Sequence, residues 1–224
     1  MKLKFKLKPQ DITLYAVCMK DRPLRFDSKA KIVSVFGDEG DHADVNLYWA
    51  ELSCMYSLWN NCSDNFFGII NYRRNWEEQY LSQVEEDTLY IPRHVTFPFS
   101  IRKQFSQGHG GGLDETVDFS LELARKGEIP FTEEMLAAAW DQPKFFETLL
   151  VMGPNERMHQ YFDLVFDILL PIWEKHQDYF LTRVGYNKRG PAFLMERLMT
   201  AVFLNKEHFF GSKKVVECPF VLYR

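Results

Sequence analysis

The six residues Phe66-Phe67-Gly68-Ile69-Ile70-Asn71 carry no charge and are followed at once by Tyr72-Arg73-Arg74. So short an apolar run, bounded by polar residues, reads as a strand buried on both faces, which places it inside a covered sheet. Open α/β sheets bind ligands at the carboxyl ends of their strands. Here that end delivers two arginines, whose guanidinium forks match phosphate oxygens bidentately. The alternative reading is a surface arginine pair bonded to neighbouring acids.

Two further strand-like runs precede this one, over 12–18 and 31–36, joined by the polar stretch Asp21-Arg22-Pro23. Glycine and acid then break the chain at Gly37-Asp38-Glu39-Gly40-Asp41. From 46 to 59 the apolar positions Leu47, Ala50, Leu52, Cys54, Met55, Leu58 and Trp59 repeat near helical spacing, with Glu51 the single acid among them. Another strand is expected over 88–91, after the acidic Glu85-Glu86-Asp87. Four glycines crowd into Gln107-Gly108-His109-Gly110-Gly111-Gly112, which reads as a loop. Beyond it the pattern predicts helices over roughly 114–126, 132–139, 158–175 and 192–203, with Thr132-Glu133-Glu134-Met135 resembling a helix start. Strands at the front and helices behind predict a single α/β domain over 1–224 with a helical C-terminal half.

Composition narrows the function classes. A length of 224 residues can bury a core without disulfide or metal staples. The net charge of −4 argues against nucleic acid as a partner. No apolar run reaches the ~18 residues that crossing a bilayer requires. Four scattered cysteines lack zinc-site spacing and suit a reducing, cytoplasmic setting. The opening residues Met1 to Lys8 alternate lysine with apolar side chains rather than forming an apolar leader. They read either as an edge strand guarded by lysines or as a basic patch for peripheral contact with the inner membrane. The 20 Phe, 10 Tyr and 5 Trp supply core area and also stacking platforms for sugar or base rings.

Asn46-Leu47-Tyr48-Trp49-Ala50-Glu51-Leu52-Ser53, Gly68-Ile69-Ile70-Asn71-Tyr72-Arg73-Arg74-Asn75-Trp76 and Gly190-Pro191-Ala192-Phe193-Leu194-Met195-Glu196-Arg197-Leu198 occur in that order. Together they resemble a family of bacterial capsule and O-antigen proteins, long described as a domain of unknown function and now grouped with glycosyltransferases. Its hallmarks are an aromatic-Cys-Glu-Leu-Thr helix, a Gly-Leu-Cys-His-Tyr-Arg-Arg-Tyr-Phe strand and a Glu-Arg-Leu helix; His109 and Leu113-Asp114 echo a further motif. The resemblance runs from about residue 12 to 219. Three departures stand out: Asn71 replaces the family histidine, Gly37 to Asp41 matches a Gly-Asp-Asn turn loosely, and Leu149-Leu150-Val151 replaces Asn-Met-Phe.

The resemblance implies a GT-A-like, Rossmann-like sheet that binds a nucleotide-sugar donor and serves capsule or lipopolysaccharide assembly, with a lipid-linked or oligosaccharide acceptor. Tyr72, Arg73, Arg74, Glu51 and Arg197 become candidates for holding the donor. Glu196 becomes the candidate base toward an acceptor hydroxyl, or else half of a structural pair with Arg197, while Asp41 and His109 are the reserve bases. Glu51, on its apolar helix, needs a partner and is expected to orient an arginine of the Tyr-Arg-Arg segment or to cap backbone. His109 sits in a loop suited to closing over ligand. Many such enzymes hold a metal through Asp-x-Asp, which is absent here; Glu85-Glu86-Asp87 is either its nearest substitute or a solvated turn. Diphosphate stabilisation is therefore expected from Arg73 and Arg74, leaving room for a divalent manganese or magnesium ion. Rival readings are a non-catalytic carbohydrate-binding relative and a phosphotransferase acting on sugar phosphates.

Overall fold

The computed structural model describes residues 7–18, 24–37, 43–108 and 112–223. Its heart is three parallel strands, β1 (Thr13–Cys18), β2 (Lys31–Phe36) and β3 (Phe66–Asn71), with β1 in the middle. Leu14 faces Ile32 across one ladder and Gly68 across the other. Every residue of β3 except Asn71 is buried, as its unbroken apolar run requires.

Between β2 and β3 the apolar periodicity predicts one helix, but the structure contains two, α1 (Asn46–Trp49) and α2 (Glu51–Asn61). They are separated by Ala50 at φ 51° and ψ −122°. Ala50 is the one non-glycine residue with positive φ among those described. Its N–H still bonds the Asn46 carbonyl at 2.8 Å, so the helix closes a turn there and restarts in a new direction. The periodic pattern hides this break because Leu52, Met55 and Leu58 continue to face the core.

After β3 the chain turns directly into β4 (Arg74–Trp76), then α3 (Glu78–Leu81), β5 (Leu89–Pro92) and β6 (Val95–Thr96). Three helices follow: α4 (Ile101–Gln107), α5 (Glu115–Arg125) and α6 (Glu133–Trp140). Thr132 caps α6 by accepting from the Met135 N–H, as the sequence leads one to expect. Next come β7 (Lys144–Phe145), paired with β6, and β8 (Met152–Pro154). The long α7 (Asn155–Leu181) and α8 (Gly190–Leu204) then pack together. Short α9 (Lys206–Phe210), β9 (Val215–Cys218) and β10 (Phe220–Leu222) complete the described fold.

The C-terminal half is mostly helical, as expected, and also adds short strands to the sheet. β8 pairs antiparallel with β3, β9 joins β5 in parallel, and β10 joins β4, giving a mixed eight-stranded sheet. Strands of three or four residues are too short to establish an alternating pattern, so pairing partners rather than local sequence define them. The second edge of β3 is shared: β8 takes residues 66–68 and β4 meets Asn71. In α8 every residue is buried except Glu196 and Leu204, the mark of a helix enclosed on all sides.

Gly68 is required by this sheet. A Cβ there would lie 2.5 Å from the Cβ of Met152, its partner across the β3–β8 ladder. Neither atom can swing aside, so Gly68→Ala should lower unfolding free energy by about 1–3 kcal/mol, read from denaturant melts. Unchanged stability would show that the two strands are further apart than described.

Candidate functional site

A cavity of about 770 Å³ opens at the carboxyl ends of the three parallel strands, where Val17 and Cys18 end β1, Gly37 follows β2 and Asn71 ends β3. Ligand cavities commonly have this size and this place in an open sheet. The α1–α2 junction, the short 3-10 segment Gly185–Arg189, α8 and the turn Tyr72-Arg73 supply its walls.

The arginine turn is fixed from three directions. The Asn71 side-chain oxygen accepts from the Arg73 N–H at 3.2 Å, so Asn71 caps the turn. The Tyr72 carbonyl accepts from the Arg25 N–H at 3.1 Å, and the Arg73 carbonyl from the Tyr223 N–H at 2.7 Å. The guanidinium carbons of Arg25 and Arg73 lie 5.8 and 5.7 Å from the Tyr72 ring centre. Arg73 is exposed and, among the described residues, pairs with no carboxylate. Arg74 is only 15% exposed, and its one ion-pair partner there, Glu147, stands 3.9 Å away, beyond hydrogen-bond reach. Its Nε is buried without a partner.

Opposite, α8 presents Glu196 and Arg197. The Arg197 guanidinium bonds Glu196 at 2.9 Å, the Gln104 side chain at 2.8 Å and the Phe193 carbonyl at 3.0 Å. It also lies 4.6 and 5.1 Å from the ring centres of Phe145 and Phe105. With 2% of its side chain exposed, Arg197 is anchored, while Glu196 keeps 18% open. Loss of solvent pushes the Glu196 carboxyl up to about 7; Arg197 and Arg74 oppose the shift, and Glu51 and Glu147 reinforce it.

Glu51 opens α2 directly after strained Ala50 and bonds Arg189 at 3.0 Å. Of the two expectations for Glu51, orienting an arginine of the Tyr-Arg-Arg segment or capping backbone, the first fails: its partner is Arg189, because the Gly185–Arg189 segment packs on α1. The structure brings Glu51, Tyr72, Arg73, Arg74, Glu196 and Arg197 to one cavity. Asp41 and His109 lie outside the described residues, as do most of the first eight residues and Asp21-Arg22-Pro23. Sequence reasoning missed Arg189, Glu147 and Gln104. Glu147 had left a signal, a lone acid inside the apolar run from Phe145 to Val151.

The acidic turn Glu85-Glu86-Asp87 contributes nothing to the cavity wall, and Glu85 pairs with Lys214 at 2.6 Å. Among the described residues no three His, Cys, Asp or Glu side chains converge to hold a metal ion. No described helix is long and apolar enough to cross a membrane.

No protein-family model matches this sequence, and no curated protein matches it either. Among solved structures, the apo structure of WbbM, a bifunctional glycosyltransferase, matches with a TM-score of 0.71 and 15% identity. The match covers 95% of this chain and 45% of that one, so the chain spans less than half of that protein's length. Identity so low carries the fold alone: this mixed α/β architecture is one that a glycosyltransferase uses.

The Glu196 shift has a stability signature. An unfolded chain loses this proton near 4.5 and the folded one near 7, so between those pH values the folded state binds more protons. Stability therefore falls as pH rises through that window and levels off above it. Glu196→Gln should flatten that fall by about 1–3 kcal/mol in urea melts between pH 5 and 7. A variant whose pH profile runs parallel to wild type would show that Glu196 titrates normally.

Proposed function

We propose that this chain is a glycosyltransferase that uses a nucleotide-sugar donor, bound with its diphosphate against Arg73 and Arg74. The observation that carries the reading is the pairing, across one cavity, of under-neutralised arginines with a carboxyl held near neutrality. Transfer breaks the bond between the sugar and the diphosphate, and the leaving group takes the electron pair. Guanidinium groups fixed in advance stabilise that developing charge. The acceptor hydroxyl attacks the anomeric carbon and gives its proton to Glu196, whose pKa near 7 suits a general base at neutral pH.

Arg197 holds the carboxylate in place, and Glu51 does the same for Arg189 on the facing wall. A carboxyl raised toward neutrality and facing a cavity with arginines is what a general base requires, which favours the enzyme. The GT-A assignment, the capsule or lipopolysaccharide setting and the lipid-linked or oligosaccharide acceptor rest on the sequence motifs, and a cytoplasmic site of action on the scattered cysteines. A divalent ion is an added arm of the test rather than part of this scheme.

Calorimetry with uridine and guanosine diphosphate sugars, with and without manganese, should reveal one that binds. Arg74→Ala should then weaken that donor by about 10- to 100-fold, the loss expected for a charge-assisted contact. Glu196→Gln should leave donor affinity nearly intact and lower turnover by about 100-fold or more. A well-folded Glu196→Gln protein with full turnover would remove Glu196 from the chemistry.

A further inference from the structure

The cavity wall carries four arginines and three glutamates, and their pairing is uneven. Arg189 is bonded by Glu51 and Arg197 by Glu196, both at hydrogen-bond distance. Glu147 is the third acid, and it meets Arg74 only through a 3.9 Å contact. At that length the pair gains Coulomb attraction but no hydrogen bond, and Arg74 keeps a buried Nε with no partner. The arginine is thus mostly withdrawn from water, yet only loosely neutralised.

The segment bearing Glu147 is firmly held while its side chain stays half exposed. Phe145, Phe146 and Thr148 on either side are buried. The Phe146 N–H donates to the Thr200 hydroxyl at 3.1 Å, and the Leu150 N–H to the Thr148 hydroxyl at 3.2 Å. Glu147 itself is 47% exposed. Among the described residues its ion-pair partner is Arg74 at 3.9 Å, with the charge of Arg197 attracting it from further off, and a three-carbon swing carries the carboxylate into solvent.

We propose that Glu147 is a resident counter-ion for Arg74, a stand-in for the phosphate oxygens of an incoming ligand that must displace it. The proposal rests on the reading of the cavity as a diphosphate site and names the residue that sets its affinity. In the empty protein Glu147 spares Arg74 the cost of a buried, unpaired charge. When a diphosphate arrives, its oxygens take both Arg73 and the released Arg74, and the Glu147 carboxylate turns outward. Its negative charge also repels anions that approach without enough contacts to displace it. Glu147 thereby sets a threshold that favours a diphosphate over a lone phosphate or carboxylate.

The test is calorimetry with inorganic pyrophosphate on the full chain, without divalent metal and then with manganese. Glu147→Gln, at a half-exposed side chain, should fold as wild type does and bind pyrophosphate about two- to fivefold more tightly, since no ion pair has to be broken. In an Arg74→Lys or Arg74→Ala background the same change should have less than half that effect, because the partner it releases is altered or gone. Wild-type binding that Glu147→Gln leaves unchanged would overturn this inference and spare the diphosphate site. Binding weakened by Glu147→Gln only with manganese would also overturn it, by making Glu147 a metal ligand. Pyrophosphate that binds neither wild type nor any variant would bring down the donor-site reading along with it.

Discussion

The guanidinium of Arg197 is the point on which the architecture around the cavity turns. It sits in α8, a helix enclosed on nearly every side, with Glu196, Gln104 of α4 and the Phe193 carbonyl as hydrogen-bond partners and the rings of Phe105 and Phe145 nearby. A charge this deeply buried destabilises the fold unless each neighbour stays in place. That requirement ties α4, the β7 segment and α8 together beneath the cavity. It also fixes the position of Glu196, the carboxylate that α8 brings to the cavity. The structural pair and the candidate base are thus the same arrangement viewed from its two ends.

Above that anchor, the sheet delivers the opposite charge. Three parallel strands end at the cavity, and β3 turns back at once into β4, so Tyr72-Arg73-Arg74 cannot retreat from the opening. Asn71, Arg25 and Tyr223 hold the turn through its backbone and leave both guanidinium groups available. The close approach of β3 and β8 at Gly68 keeps this strand end in register with the rest of the sheet. Strain at Ala50 serves the facing wall, since redirecting the helix there starts α2 at Glu51, within reach of Arg189. Such strained backbone persists only where surrounding packing determines it, and it gathers at functional sites.

How much of this was legible beforehand follows from the length of each signal. The runs at 31–36 and 66–71 became β2 and β3 with the bounds the sequence suggested, and the four helices expected beyond the glycine loop appear, with α7 and α8 longer than expected. Long apolar patterns average over many positions, so they survive single exceptions. β8, β9 and β10 left no such record, because three- and four-residue strands exist through their partners. The break at Ala50 was invisible for a related reason: the apolar spacing continues past it. At the site, contiguous motifs put Tyr72, Arg73, Arg74 and Glu196 forward, whereas Gln104, Glu147 and Arg189 meet them only through tertiary packing. The ion pairs that decide how much charge remains for a ligand join residues about 70 to 140 positions apart, and no local pattern encodes them.

The central claim is that one cavity holds a diphosphate on its arginine side and reacts on its Glu196 side. The most direct test is a crystal structure with bound uridine diphosphate. The expected result places phosphate oxygens within hydrogen-bond distance of Arg73 and Arg74, with the distal phosphate directed toward Glu196. A nucleotide found instead in the shallow depression between Gly127 and Glu174, or held with its phosphates away from both arginines, would contradict it.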